Sequence, residues 1–439
     1  MDINKVLDKL GISELNKMQQ EAMNVILRKN DDVVILSPTG SGKTLAYLLP
    51  LIQKIDSQLP HVQMLVVVPG RELALQSQRV LKDMGTGLRS MALYGGRATM
   101  DEHRKMREVQ PQVVFATPGR FNDHLLKENV SPLFIKYVVI DEFDKCLEMG
   151  FREEMSLLMG RLRHAEQTIL LSATDAEEIP RFVRMGHTQR LDYLVKEEQV
   201  SERVLLYKVI SPTKDKLETL KQLLLDFGDE STVVFLNYRD SVERTAAFLR
   251  ECGFSISMFH GGLEQKQRED ALYRFSNGSA NVLVCTDLAS RGLDIPDIQN
   301  IVHYHLPLGE DGYIHRVGRT ARWDKSGKTF FVLNQEEQIP DYIEGNVKDF
   351  IPSPLNDHPQ LPKMATLYIG KGKKDKISKG DVVGFLCKIG GLKSDEIGRI
   401  DVNDRYSYVA VKQKRLASVL RNVQGEKIKG LKTIFEEIK

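Results

Sequence analysis

Val33-Val34-Ile35-Leu36-Ser37-Pro38-Thr39-Gly40-Ser41-Gly42-Lys43-Thr44 is the stretch on which the fold turns. Four aliphatic residues in a row read as a strand buried on both faces. The small residues that follow let backbone N–H groups wrap an anion. The apolar-periodic run Lys43–Ile55 reads as a helix whose N-terminus adds a favourable dipole there, with a bend expected at Pro50. Lys43 brings positive charge to phosphates, and the Thr44 hydroxyl is a hard oxygen donor suited to Mg2+. The phosphate-binding set is therefore Ser37, Thr39, Gly40, Ser41, Gly42, Lys43 and Thr44. Ser37 stands where the general pattern opens with glycine. A Gly-Ser turn beside an exposed lysine would look similar alone; the strand before it and the helix after it set this one apart.

Working outward, the alternation repeats. Strands are expected at Asp32–Ser37, Met64–Pro69, Val113–Thr117, Tyr137–Asp141 and Thr168–Ser172, with helices at Arg71–Met84 and Arg152–Leu162 between them. Strands separated by helices imply βαβ units and a parallel sheet. Asp141-Glu142-Phe143-Asp144 closes one such strand. An acid there can hold Mg2+, and a second beside it can activate the attacking water. A lone Asp-Glu after a strand is often a solvated turn; a phosphate loop upstream changes that reading. The polar run Val195–Glu202 reads as a linker, after which strands are expected at Thr232–Leu236, Ser255–Phe259, Val282–Thr286 and Asn300–His305, with helices near Lys214–Asp226 and Arg239–Glu251.

Pro352, Pro354, Pro359 and Pro362 then interrupt regular structure. A small mixed α/β domain follows, with strands Thr366–Gly370, Ile397–Val402 and Tyr406–Val411, helices Ser378–Lys388 and Gln413–Asn422, and a short final strand and helix. At roughly 150 residues per domain, 439 residues accommodate three.

Composition narrows the classes. With 41% hydrophobic and 28% charged residues, the chain can fill several cores, which excludes disorder. No apolar run reaches the roughly 18 residues of a membrane span. The opening MDINKVLDKLG lacks a signal-peptide core. The four cysteines form no C-x-x-C pair, which argues against a disulfide framework or zinc site and for a cytoplasmic protein. The net charge of +2 hides an asymmetry: residues 361–439 hold 18 of the 62 basic and 9 of the 60 acidic residues, a balance of +9 there and −7 elsewhere. Basic charge gathered in one domain is the footprint of a polyanion binder, although a solvated lysine-rich face has the same composition.

The motif order carries more than any one motif. Gln19, SPTGSGKT, Pro69-Gly-Arg-Glu-Leu-Ala74, Gly95-Gly96, Thr117-Pro-Gly-Arg120, DEFD and Ser172-Ala-Thr174 are followed by His260-Gly261, Gln265-x-x-Arg268, Thr286-Asp287, Arg291-Gly-Leu-Asp294 and His315-Arg-Val-Gly-Arg319-Thr-Ala-Arg322. Over residues 1–350 this series resembles the DEAD-box RNA helicases of superfamily 2. The resemblance implies two RecA-like parallel-sheet lobes, 1–198 and 204–350, with ATP bound between them. It implies Gln19 at the adenine, Asp294 at the ribose, Thr44 and Asp141 supporting Mg2+, Glu142 activating water, and Arg319 and Arg322 reaching the γ-phosphate, with Lys43, Asp141 and Glu142 completing the catalytic set. Ser172 and Thr174 would couple the lobes. RNA contacts would come from Arg71, Gly96, Thr117, Arg120, Arg268 and Thr286. Three departures stand out: Gly70 replaces a usual threonine, Phe143 replaces alanine, and Asp2 falls where an adenine-stacking aromatic is usual.

After the linker 351–362, residues 363–439 resemble the RNA-binding domain of the DbpA group, through Gly370-Lys-Gly-Lys-Lys374, Ile377-Ser-Lys-Gly380-Asp381, Gly390-Gly391, Ile397-Gly398-Arg399-Ile400 and Tyr408-Val-Ala-Val411. Lys371, Lys373, Lys374, Lys376, Lys379 and Arg405 are the phosphate-contact candidates. Leu367-Tyr-Ile-Gly370 and Tyr406-Ser-Tyr-Val409 resemble degenerate RNA-recognition-motif strands, so this domain is expected to be α+β. Tyr406 and Tyr408 share one face, which serves either base stacking or a core. The resemblance implies an ATP-dependent RNA helicase acting on large-subunit ribosomal RNA; a monomer with no obligate protein partner is expected, since no surface heptad or extended hydrophobic stripe asks for one. A general cold-shock or decay helicase and an ATP-gated RNA clamp are the alternatives, with a DNA helicase furthest behind.

Overall fold

The structure, a computed structural model, describes residues 3–438 apart from 29, 39, 97–98, 175–178, 184, 195–203, 288–297 and 318–326. The chain divides near residue 200 into two compact units.

In the first unit, β1 (Asp32–Leu36), β2 (Met64–Val67), β3 (Ser90–Leu93), β4 (Val113–Ala116), β5 (Tyr137–Ile140), β6 (Gln167–Ser172) and β7 (Thr188–Asp192) form a seven-stranded sheet in the order β3-β4-β2-β5-β6-β1-β7. Every pairing is parallel. The apolar runs are buried on both faces, as a parallel sheet requires. Val33, Ile35, Met64 and Val66 enter one core, while Val34, Leu36, Leu65 and Val67 enter the other. Helices α1 (Ile3–Leu10), α2 (Lys17–Arg28), α3 (Lys43–Lys54), α4 (Arg71–Asp83), α5 (Thr99–Val109), α6 (Pro118–Leu126), α7 (Phe143–Glu148) and α8 (Arg152–Arg161) accompany the sheet. Pro50 lies inside α3 without ending it.

The second unit opens with β8 (Val204–Ile210), then α9 (Leu217–Phe227), β9 (Thr232–Phe235), α10 (Arg239–Glu251), β10 (Ile256–Phe259), α11 (Gln265–Ser276), β11 (Val282–Cys285), β12 (Asn300–His303), α12 (Glu310–Val317), β13 (Gly327–Leu333) and β14 (Lys348–Asp349). Its sheet is again seven-stranded and parallel, ordered β10-β11-β9-β12-β13-β8-β14.

The same unit carries the small C-terminal domain: β15 (Met364–Ile369), α13 (Lys379–Lys388), β16 (Ile397–Val402), β17 (Ser407–Lys412), α14 (Gln413–Val423), β18 (Lys427–Ile428), β19 (Leu431–Lys432) and β20 (Phe435–Ile438). Its sheet is antiparallel, ordered β16-β17-β15-β20. The expected final helix is instead the β18–β19 hairpin and edge strand β20. Ala365, Leu367, Ile369, Val409 and Val411 face a core shared with Leu386, Leu416 and Val419 of the helices. The alternate residues, Tyr368 and Tyr408, therefore share the opposite face, paired directly across β15 and β17. No helix of the described residues is long and apolar enough to cross a membrane.

Candidate nucleotide and nucleic-acid sites

Because all seven strands of the first sheet run parallel, the loops that follow them share one rim. Strands β5, β6 and β1 are neighbours, so Asp141-Glu142, Ser172 and the Ser37–Thr44 loop meet on one half of that rim. Ser37 N donates to Ser172 O at 3.0 Å. Strands β3, β4 and β2 are neighbours, so Gly95-Gly96, Thr117 and Gly70-Arg71 meet on the other half.

The loop half is tied together at close range. Lys43 is buried and its Nζ donates to Ser37 O at 2.5 Å and Pro38 O at 3.3 Å. Ser37 Oγ donates to Ser41 Oγ at 2.7 Å. Gln19, on α2, donates through Nε2 to Gly42 O at 3.2 Å, and its Oε1 accepts from Asn16 N at 3.1 Å. Asn16 Nδ2 donates to Ser41 O at 3.1 Å. Gly42 has φ 84°, and a Cβ there would fall on the Gln19 amide, so both backbone conformation and close approach require glycine.

Burial and the neighbouring Glu142 charge push the Asp141 carboxyl up to about 7, with Lys43 pulling the other way. Glu142 takes φ 52°, a left-handed conformation that a non-glycine residue holds only under tertiary constraint; its N–H donates to Asp141 Oδ1 at 3.0 Å. Phe143 is wholly buried in the core behind the loop, so the departure from alanine is filled by packing. Tyr47 is a residue that the sequence did not single out. It is wholly buried on α3, with Thr44, Ser77 and Asp141 acting on its phenol, and burial raises its ionisation well above the ordinary value. Thr174 Oγ1 donates to Asp144 Oδ2 at 3.1 Å, and Ser172 Oγ to Thr174 O at 2.6 Å. Thr174→Val, which keeps the shape and removes the donor, is expected to lower unfolding free energy by about 1–3 kcal/mol, measured by urea denaturation.

On the other half, Arg71 and Gly96 are neighbours: a Cβ on Gly96 would lie 3.5 Å from Arg71 Nη1. A Cβ on Gly70 would meet only Glu72 Oε2, at 3.7 Å. Thr117 precedes α6, its carbonyl accepting from Phe121 N at 3.1 Å. Arg120, one turn in, donates through Nε to Glu102 Oε2 at 2.6 Å.

In the second unit, Arg268 is buried and its guanidinium donates to Leu263 O at 3.1 Å and Gly261 O at 2.6 Å, so it shapes the loop after β10. Thr286 N donates to Phe259 O at 3.2 Å. Arg316, fully buried, pairs with Asp287 at 2.5 Å and donates to Asn237 Oδ1 at 2.8 Å and His305 O at 2.8 Å. It thus ties the ends of β9, β11 and β12 to α12, a role the sequence did not reveal. Thr39, Asp294, Arg319 and Arg322 lie outside the described residues, as do Asp2 and Arg291.

In the C-terminal domain, Lys373, Lys374, Lys376, Lys379 and Arg405 are exposed. Lys373 N donates to Asn403 O at 2.8 Å and Lys374 N to Asp404 O at 2.9 Å, which places the lysine loop beside Arg405. Lys371 instead pairs with Asp375 at 3.0 Å. The tyrosine face has a different fate. Tyr408 is buried and donates to Asp270 on α11, Tyr406 OH donates to Glu269 Oε2 at 2.7 Å, and Tyr273 OH donates to Arg399 O at 2.7 Å. Lys266 Nζ lies 4.8 Å from the Tyr368 ring centre and 5.6 Å from that of Tyr406. Burial pushes the Asp270 carboxyl up, against the Tyr408 hydrogen bond. The face left open between base stacking and core is therefore a packed seat on the second lobe.

The helicase family models describe the same three segments. Residues 16–182 match the DEAD/DEAH box helicase family, 215–324 the helicase conserved C-terminal domain, and 366–437 the DbpA RNA-binding domain. The ATP-dependent RNA helicase DbpA of Escherichia coli (strain K12) is 36% identical over 97% of this chain and 94% of its own length. That of Bacillus subtilis (strain 168) is 31% identical over 98% and 96%. The chain belongs to the DEAD-box RNA helicases, in the DbpA group. It is an ATP-dependent RNA helicase, an RNA-stimulated ATPase. The two seven-stranded sheets of this helicase are its RecA-like lobes. The DEAD-box helicase Mss116 bound to ssRNA and UDP-BeF superposes with a TM-score of 0.70 at 27% identity, covering 80% of this chain and 78% of its own.

Proposed function

We propose that this helicase locally unwinds large-subunit ribosomal RNA during ribosome assembly, with the C-terminal domain choosing the RNA and the two lobes doing the work. The observation that carries the reading is the C-terminal domain itself: its tyrosine face is spent on the second lobe, while the Lys373, Lys374, Lys376, Lys379 and Arg405 edge stays exposed. A helix or hairpin gripped at that edge would be held at a fixed offset from the second lobe.

In this reading the Ser37–Thr44 backbone and Lys43 hold the ATP phosphates, and Gln19 selects adenine. Thr44 and Asp141 offer hard oxygen donors. Burial first, and the Glu142 charge second, raise the Asp141 carboxyl, a penalty on its charged form that a divalent cation would offset, so the residues fit Mg2+. Bound there, Mg2+ would neutralise charge on the phosphates. Glu142 orients the attacking water and accepts its proton. Arg319 and Arg322 bring positive charge to the transferring phosphoryl, and Asp294 holds the ribose. Arg71, Gly96, Thr117, Arg120 and Thr286 contact RNA phosphates and sugars, and Arg268 acts through the loop it shapes. Such contacts position the strand without reading its sequence.

ATP turnover is measured with purified ribosomal RNA and with an equal mass of unrelated structured RNA, at fixed salt. The expected result is stimulation by ribosomal RNA well above the other. Equal stimulation replaces the ribosomal role with general remodelling. Deleting residues 363–439 is expected to abolish the preference and leave basal turnover in place; an unchanged preference would move target choice to the lobes.

A further inference from the structure

Arg120 is one of the residues proposed to contact RNA, and its guanidinium does not stand alone. Glu102 comes from α5, and Arg120, Asp123, His124 and Lys127 come from α6 and its C-terminus. Arg120 Nε donates to Glu102 Oε2 at 2.6 Å. His124 Nε2 lies 3.1 Å from the same oxygen, so one carboxylate oxygen takes both donors. Arg120 Nη1 lies 3.8 Å from Asp123 Oδ2, and Asp123 is itself held by Lys127 at 2.8 Å. His103 stacks edge-on against His124 at 4.9 Å and lies 4.0 Å from Asp123. The Glu102 side chain is 4% exposed and that of His124 fully buried. Burial alone would raise the Glu102 carboxyl, but the hydrogen bonds from His124 and Arg120 hold it below its ordinary value.

Burying a carboxylate is costly unless donors compensate it, so such a group persists where its geometry is worth having. Among the described residues no group of three or more His, Cys, Asp and Glu is arranged to hold a metal ion, which removes the simplest other use for this cluster. What remains is a brace. A guanidinium gripped by Nε is fixed in plane and direction along one edge. His124 beneath locks the carboxylate that grips it.

We infer that Glu102, locked by His124, is a positioning residue that pre-aims Arg120 at an RNA phosphate. The inference rests on Arg120 contacting RNA. A side chain already held in its bound orientation loses less freedom on binding, so the brace acts on RNA affinity and not on the chemistry at ATP.

The test uses the full-length protein and RNA-stimulated ATP turnover across a range of RNA and salt concentrations. Glu102→Gln keeps the shape and removes the charge. It is expected to raise the RNA concentration for half-maximal stimulation roughly tenfold, with turnover at saturating RNA and RNA-free turnover unchanged. Glu102→Asp, which restores the charge, is expected to recover part of that loss. Arg120→Ala is expected to weaken RNA binding and to reduce the slope of log affinity against log salt by about one. Glu102→Gln in the Arg120→Ala background is then expected to add nothing. If Arg120→Ala leaves the salt slope unchanged, the RNA contact itself is wrong. If Arg120→Ala behaves as expected but Glu102→Gln leaves half-maximal RNA unchanged, or lowers saturating turnover equally, the positioning role is overturned. Thermal melting of each variant separates an unfolded protein from a misaimed arginine.

Discussion

Replacing Lys43 by alanine is expected to reduce RNA-stimulated ATP turnover by about 10²–10³-fold, leaving RNA binding by the C-terminal domain intact. Two effects point the same way. The buried ammonium, 2.5 Å from Ser37 O, is the positive charge proposed to hold the phosphates, and alanine removes it from a site where the surroundings screen it little. Lys43 also pulls the Asp141 carboxyl down against burial and the Glu142 charge. Without Lys43, Asp141 rises above about 7 and spends more time protonated at neutral pH, when it is a poorer ligand for a hard cation. Lys43→Met, which preserves the apolar stem, is expected to match the alanine variant in turnover while melting closer to wild type. Steady-state ATP hydrolysis and fluorescence anisotropy with a ribosomal RNA fragment measure the two halves. Normal hydrolysis by either variant would refute the phosphate-loop assignment.

The second large effect concerns the seat of the C-terminal domain. Tyr408→Ala is expected to cost about 3–5 kcal/mol of unfolding free energy, since it empties a buried aromatic site. It also strips Asp270 of its phenolic donor while Asp270 stays buried by its surroundings. Tyr408→Phe removes the hydroxyl alone and is expected to cost about 1–3 kcal/mol. Urea unfolding measures both, and proteolysis across residues 351–362 reports whether the domain has left α11. A loss under about 1 kcal/mol for Tyr408→Ala would mean that this face is not what holds the domain.

The phosphate loop was legible because everything that defines it is local: an apolar strand, small residues, a lysine and a helix in succession. The motif order then carried the two-lobe plan. Besides β8 and β13, which were passed over despite their apolar runs, what escaped was of two kinds. Strand β7, Thr188–Asp192, is a sheet edge in which only Leu191 is buried, so it lacks an apolar run to read. Strand β3, Ser-Met-Ala-Leu, is fully buried but has no β-branched residue and is only four residues long, too short for a period. Helix α5 is mostly polar, with Met106 and Val109 packed on the core, and nothing in its pattern announced that Glu102 would be buried against a residue 18 positions away. Likewise the spacing of Tyr406 and Tyr408 gave the shared face but not its neighbour, since α11 lies more than a hundred residues earlier. Contacts between distant segments leave no periodicity in either one.

The seating of Tyr368, Tyr406 and Tyr408 on α11 also bears on how residues 363–439 could be reused. Cut free and fused to another carrier, the segment would present three tyrosine rings and the Arg399 flank to water, with Glu269 and Asp270 left behind on the helicase. A portable RNA-binding tag built from it would therefore need polar replacements at those rings to remain dispersed. In the full-length chain these rings stay covered, because Tyr406 and Tyr408 are held by Glu269 and Asp270 of α11.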